Sequence, residues 1–272
     1  MALDWTPLVV LTLVSGCAES GKDNGVVGTD SGTGNDTGGS LEGLPLPEEV
    51  FYLHDKAGDL AIYEDSLLVT TQHGDAIHQW HPDSGEDELA WGLGDLQGVA
   101  VDAEGLVATL TDSGVVGAVA RVSPPRDVEM VADRADDGTL MRRPGDMAWR
   151  GGELLVADTG ADIVWQVQLD TGAVEAVAEG LFSCVATGGG RVFFGGESGV
   201  WELGEGGLQQ LDAREARGLL WVQDRLLGTN TTLGLFTVEG SALMGEGPAS
   251  PASMAVLGDW LYLSDITGGS VW

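Results

Sequence analysis

Residues 145–172 read GDMAWRGGELLVADTGADIVWQVQLDTG, and residues 58–85 read GDLAIYEDSLLVTTQHGDAIHQWHPDSG. The two stretches lie on each other without a gap. They share Gly58/Gly145, Asp59/Asp146, Ala61/Ala148, Leu67/Leu154, Leu68/Leu155, Val69/Val156, Asp75/Asp162, Gln79/Gln166, Asp83/Asp170 and Gly85/Gly172. A third copy, residues 251–272, lies on residues 144–165 and keeps Pro144/Pro251, Met147/Met254, Gly151/Gly258, Leu154/Leu261, Asp158/Asp265 and Trp165/Trp272. Similarity of a chain to itself at a fixed period marks a repeat architecture. Each copy holds short apolar runs separated by turn formers such as Gly151-Gly152, Asp158-Thr-Gly160 and Asp170-Thr-Gly172. No long stretch carries a helical apolar period. The unit is therefore a four-stranded antiparallel meander, and stacking several such sheets radially buries their faces.

Weaker units fill the gaps. Residues 98–132, 183–211 and 218–244 each give the same succession of runs, the last with a poor fourth strand. The final copy reaches only its third strand at Trp272. A lone run at residues 49–54, just before the first full unit, supplies the missing one. The expectation is an all-β, six-bladed β-propeller of four-stranded antiparallel blades over residues 49–272, its last blade closed by the N-terminal strand. Closure removes open sheet edges.

Leu154-Leu-Val-Ala-Asp-Thr-Gly160 followed by Ile163-Val resembles the recurring segment of NHL-type repeats. The resemblance implies a fold, since such propellers serve binders and enzymes alike.

Residues 1–48 are different material. Pro7-Leu-Val-Val-Leu-Thr-Leu-Val14 is too short to span a bilayer and suits the core of a signal peptide over residues 1–16. Val14-Ser-Gly-Cys17 resembles the bacterial lipobox, which implies a lipidated Cys17 and attachment to the membrane of the cell envelope, as in outer-membrane lipoproteins. The n-region departs from the pattern: it has no Lys or Arg and contains Asp4. The rest of residues 17–48 is Gly, Ser, Thr, Asp and Asn with little to bury, the composition of a disordered linker.

Twelve Lys and Arg stand against 43 Asp and Glu, a formal charge of −31. So acidic a chain repels phosphate backbones, and nucleic acid is not an expected partner. With Cys17 lipidated, Cys184 is the only other cysteine and no disulfide is expected. Its strand setting, Ser183-Cys-Val-Ala186, reads as core.

Four features bear on chemistry. His54, His73, His78 and His81 crowd one segment, but His78 and His81 point to opposite faces of a strand, which argues against one metal site. Asp158, Asp265 and Asn230 end second strands, and either cap turns or converge at one mouth of the channel. Asp59 and Asp146 open innermost strands and could reach the channel. Six-bladed gluconolactonase-like propellers hold a divalent metal there, and Pro144-Gly-Asp-Met147 is distantly similar to one of their segments. Their metal is held by one Glu, two Asn and one Asp, and the two Asn and the Glu find no match here. Trp165, Trp201 and Trp272 share one repeat position, as inter-blade packing requires.

No serine-histidine-acid pattern or phosphate loop is present. The expected function is that of a monomeric, exported, lipid-anchored module that binds or scaffolds a protein or small-molecule ligand without catalysis or cofactor. The alternative is a metal-dependent, lactonase-like hydrolase with a divalent cation such as calcium in its channel. The expected binding mouth carries His73, Arg142, Arg143, Asp158, Glu197, Asn230 and Asp265. Arg142 and Arg143 either hold an anionic group or pair with Asp136 and Asp137, and the pairing is the favoured expectation.

Overall fold

A computed structural model describes residues 49–272 apart from 54–55, 72–74, 113–115 and 244–246. The features read from residues 1–48, including Cys17, and from His54 and His73 lie outside the described residues. Every described element is a strand or a turn. Blade 1 comprises Ala57–Tyr63, Ser66–Thr71, Ile77–His81 and Gly85–Ala90. Blade 2 comprises Asp95–Val101, Leu106–Asp112, Val116–Ser123 and Asp127–Ala132. Blade 3 comprises Pro144–Arg150, Glu153–Asp158, Ile163–Gln168 and Ala173–Glu179. Blade 4 comprises Cys184–Gly188, Arg191–Gly196, Gly199–Gly204 and Gly207–Asp212. Blade 5 has three strands, Gly218–Val222, Arg225–Asn230 and Gly234–Thr237. Each blade is an antiparallel meander in chain order, and neighbouring inner strands touch in succession around the ring.

Blade 6 is built from both ends of the described chain. Pro251–Leu257, Trp260–Asp265 and Ser270–Val271 give three strands, and Phe51–Tyr52 is the fourth. Phe51 pairs with Val271 and Tyr52 with Ser270. Val50 N and Leu53 N extend the seam by donating to Val271 O and Gly269 O, both at 2.7 Å. Phe51 stacks on Trp80 of blade 1 at 5.6 Å between ring centroids, and Leu53 is buried against Leu60 and Leu67. The closing strand thus ties the last blade to the first.

In blade 5 the poor fourth strand is a short return. After a turn at Glu239-Gly240, Leu243 N donates to Leu235 O, and Ala242 bridges Phe236. Outer strands elsewhere carry exposed acids, such as Glu86, Asp87 and Glu88 in blade 1 and Asp127 and Glu129 in blade 2. Charge on an edge strand discourages pairing with another molecule, so part of the acidity has a structural use.

The core is a set of layers between adjacent blades. Trp165 of blade 3 is buried with Ala100, Val107 and Val119 of blade 2. Trp201 of blade 4 packs against Leu155 and Val164 of blade 3, and Trp272 of blade 6 against Leu227 and Leu235 of blade 5. The shared tryptophan position therefore fills the gap to the preceding blade. Burying one large apolar side chain contributes about 1.5–3 kcal/mol.

Candidate functional site

Two repeat positions concentrate polar side chains. The first ends the second strand: Asp158 in blade 3, Asn230 in blade 5 and Asp265 in blade 6. All three are buried. Asp158 Oδ2 accepts the Arg142 N–H at 2.8 Å and the Trp165 Nε1–H at 3.1 Å. Its Oδ1 accepts the N–H groups of Arg143, Gly160 and Ala161 at 2.8, 3.0 and 3.1 Å. Asp265 does the same with Ala249, Thr267 and Gly268 at 2.8, 2.9 and 3.0 Å. Asn230 accepts from Thr232 and Leu233 and donates through Nδ2 to Glu215 O. Each side chain joins the connector that enters its blade to the turn that follows its strand. These groups cap turns.

Asp158 fixes the backbone of Arg142 and Arg143, while their side chains remain exposed. Among the described residues neither guanidinium forms an ion pair, although Arg121, Arg134, Arg191, Arg214 and Arg217 all do. The expected pairing with Asp136 and Asp137 is not formed. The Asp137 carboxylate instead accepts the Thr139 N–H at 2.8 Å within its own turn. Glu197 is exposed in the hairpin after the second strand of blade 4. His73 lies outside the described residues.

The second position lies on the inner strands at Asp59, Gly98, Asp146, Cys184, Gly218 and Ser253, one residue per blade. In blades 1, 3 and 6 the strand register is interrupted here. Asp59 Oδ1 accepts the Leu60 N–H at 2.8 Å and the Ser253 hydroxyl at 2.7 Å, and its Oδ2 accepts Val99 N–H of blade 2 at 3.0 Å. Asp146 Oδ1 accepts Met147 N–H and its Oδ2 accepts Val185 N–H of blade 4, both at 2.9 Å. Ser253 Oγ accepts Leu60 N–H of blade 1 at 3.2 Å. Each oxygen-bearing side chain thus clasps the corresponding amide of the next blade.

Glycine at this position works differently. A Cβ on Gly98 would stand 2.4 Å from Gly145 O of blade 3, and one on Gly218 would stand 1.8 Å from Ala252 O of blade 6. These glycines let the next inner strand press in. The hydroxyls of Thr109 and Thr229 then donate to the same two carbonyls at 2.8 and 2.9 Å. At Cys184 the buried thiol lies 3.6 Å from Ala216 O.

Burial, above all, raises the Asp146 carboxyl well above the usual carboxylate range, and the nearby Asp59 charge adds to the rise. Burial likewise raises Asp59, against the hydrogen bonds from Ser253, Val99 and Leu60. Burial also pushes up the Cys184 thiol, with Asp146 contributing.

The two described histidines, His78 and His81, have separate partners. His78 Nδ1 lies 2.7 Å from Glu86 Oε1, and His81 Nε2 lies 3.1 Å from Asp65 Oδ2. Among the described residues no group of three or more His, Cys, Asp or Glu side chains could hold a metal ion. Asp59 and Asp146 direct their oxygens at backbone amides, so the donor set does not fit a channel cation.

No protein-family profile matches the chain, and no curated protein matches it. Solved structures do. A gluconolactonase from Xanthomonas campestris superposes with a TM-score of 0.65 at 16% identity, covering 82% of this chain and 87% of that one. A luciferin-regenerating enzyme gives 0.63 at 11% identity, covering 80% and 87%. Virginiamycin B lyase from Staphylococcus aureus gives 0.55 at 12%, covering 80% and 81%. The shared property is the fold. At such identities the likeness carries no activity to this chain.

The inner-strand set was partly visible beforehand, since Asp59 and Asp146 stand out in the repeat. Gly98, Gly218 and Ser253 were missed as members of it. Aligning all six inner strands on their first buried apolar pair would have placed them together.

Proposed function

We propose that this chain is an exported, lipid-anchored propeller of the bacterial cell envelope. It acts as a monomeric, non-catalytic binding or scaffolding module. The observation that supports the reading is the division of labour among charged groups. Asp158, Asp265, Asp59 and Asp146 are engaged by backbone amides. Arg142 and Arg143 stand exposed and without an ion pair, on a connector whose backbone Asp158 holds. A pair of guanidinium groups carried on a held backbone of an acidic molecule suits an anionic group on a protein or small-molecule ligand. Loops on a rigid scaffold are where binding residues concentrate.

The second reading is a lactonase-like hydrolase with a divalent cation such as calcium in the channel. The fold likeness to a gluconolactonase favours it; the donor set at Asp59 and Asp146 does not. Hydrolysis of glucono-1,5-lactone by the purified full chain distinguishes the two. With calcium, magnesium or zinc added, the rate is expected to match buffer containing the same metal. A metal-dependent acceleration overturns the binding-module reading.

The anchor has its own test. In a bacterial host the full chain is expected in the membrane fraction, and Cys17→Ser is expected to release it. Mass spectrometry of the mature N-terminus checks the lipid directly. Retention of an unmodified Met1 overturns the lipoprotein reading.

A further inference from the structure

We propose that a groove on the outer half of blade 2, beside the connector from blade 1, binds an amphipathic carboxylate. The anionic head meets Arg126, and the apolar chain lies along Val128 and Met130. The groove has a volume of about 710 Å³, within the range of small-molecule sites. It shares no residue with the connector that carries Arg142 and Arg143.

Strand register makes one wall apolar. In blade 2, Val128 of the outer strand stands opposite Val122, and Val122 stands opposite Leu106. Met130 stands opposite Ala120. Residues directly opposite each other in an antiparallel pair share a face. Leu106, Ala120 and Val122 belong to the buried layer that includes Leu68, Ile77 and Ala90 of blade 1. Val128 and Met130 continue this layer outward, past the cover that blade 1 gives, and remain 37% and 57% exposed. Leu93, in the connector, lines the same groove. Methionine is unbranched and adapts to irregular apolar partners.

The charged groups sort by the same alternation. Asp127 and Glu129 stand opposite Ser123 and Arg121, on the other face of the sheet. Arg121 is held by Asp102 at 2.7 Å and by Glu104 at 3.0 Å, so both Arg121 and Glu104 are engaged. Arg126 differs from them. Among the described residues its guanidinium forms no ion pair, whereas those of Arg121, Arg134, Arg191, Arg214 and Arg217 do. It stands 5.5 Å from the centre of the Trp91 ring. Such a contact orients the guanidinium without neutralising it. The ring's own backbone is fixed: Trp91 N–H donates to Pro125 O at 3.0 Å, and Leu93 N–H donates to Asp75 O at 3.1 Å. A planar cation is thus held beside a wall of apolar side chains in water. A carboxylate matches the guanidinium fork, and an attached apolar chain covers the wall. A cationic head would be repelled by Arg126, and a neutral one would leave its charge unmatched.

The test is isothermal titration calorimetry of the full chain carrying Cys17→Ser, which cannot be acylated at that position. The probes are dodecanoate below its micellar concentration, dodecan-1-ol and dodecyltrimethylammonium. Dodecanoate is expected to bind with saturation, and the other two to bind roughly tenfold more weakly or worse. Arg126→Gln is expected to abolish that preference, and Val128→Asp to weaken dodecanoate binding by a similar factor. Both side chains are exposed, so the variants are expected to melt with the parent. The Met130 methyl resonance is expected to shift as dodecanoate binds, which needs no variant to fold. Absence of saturable binding, equal affinity for the three probes, or dodecanoate binding unchanged in Arg126→Gln overturns the proposal. So does binding to phosphatidylcholine vesicles containing the acid without binding to free dodecanoate.

Discussion

Removing residues 49–53 is expected to lower the melting temperature by about 10 °C and to cause aggregation in size-exclusion chromatography. The deletion takes away Leu53, buried against blade 1, and Phe51, stacked on Trp80. Truncating one buried Leu or Phe typically costs about 2–5 kcal/mol. A joint loss of at least about 4 kcal/mol converts to roughly 10 °C for a domain of this size. The deletion also strips the seam to Ser270–Val271 and leaves that strand's edge open. A milder pair, Phe51→Ala and Leu53→Ala, keeps the backbone bonds and separates the two effects. Each should lower the melting temperature without aggregation. If the deleted chain elutes and melts with the wild type, the fourth strand of blade 6 does not close the ring.

Asp158→Ala is expected to cost at least about 3 kcal/mol, read from denaturant unfolding. It removes the acceptor for five N–H groups: four backbone amides and the buried Trp165 indole. Each buried donor left unpaired costs about 1–3 kcal/mol, although water recovers those near the surface. Asp158→Asn should cost less than the alanine, because one oxygen remains. It should still be worse than wild type, since its amide hydrogens would face the N–H donors that the lost oxygen served. Asn230 shows when an amide suits this position: its connector offers Glu215 O, and Nδ2 donates to it. Equal stability of Asp158→Ala and wild type would show that the connector is held by other contacts. The same variant tests the binding reading, because it frees the backbone that positions Arg142 and Arg143.

The repeat made the ring legible from sequence because blades are local structures. Strand, turn and strand follow within one unit, and Gly151-Gly152 or Asp158-Thr-Gly160 announces each reversal. Even the closing strand could be assigned, since residues 251–272 reach only a third strand and residues 49–54 stand unclaimed. Contacts between blades were harder to read. Asp59 meets Val99 at a separation of 40 residues and Ser253 at a separation of 194. No periodicity within a unit reports such a meeting. The tryptophans are an intermediate case: their shared position predicted inter-blade packing, but not which neighbour they meet. The Arg142 and Arg143 side chains were misjudged for a related reason. Sequence proximity suggested Asp136 and Asp137, yet the turn at Asp137-Gly138-Thr139 keeps that carboxylate for its own backbone. The Trp201 indole shows the same limit. It matches Trp165, but Gly196 stands where Asp158 would accept its N–H, and its nitrogen has no partner.

A chain of look-alike blades faces a matching problem as it folds. Any blade could in principle close on the wrong neighbour, and misassembly of similar units is a known failure of repeat proteins. The inner-strand position answers with more than one chemistry: carboxylates at two joints, glycines at two, a serine at one and a cysteine at one. A carboxylate meets an amide at Val99 and at Val185, a serine hydroxyl meets the Leu60 amide, and bare glycines admit Gly145 O and Ala252 O. Glycine joints exclude side-chain joints, because any side chain in place of Gly98 or Gly218 would collide with the incoming carbonyl. Discrimination between partners needs such clashes as well as good contacts. The residues of the wall therefore act as keyed joints, in which a strand shaped for a glycine seat is refused at a carboxylate or serine one.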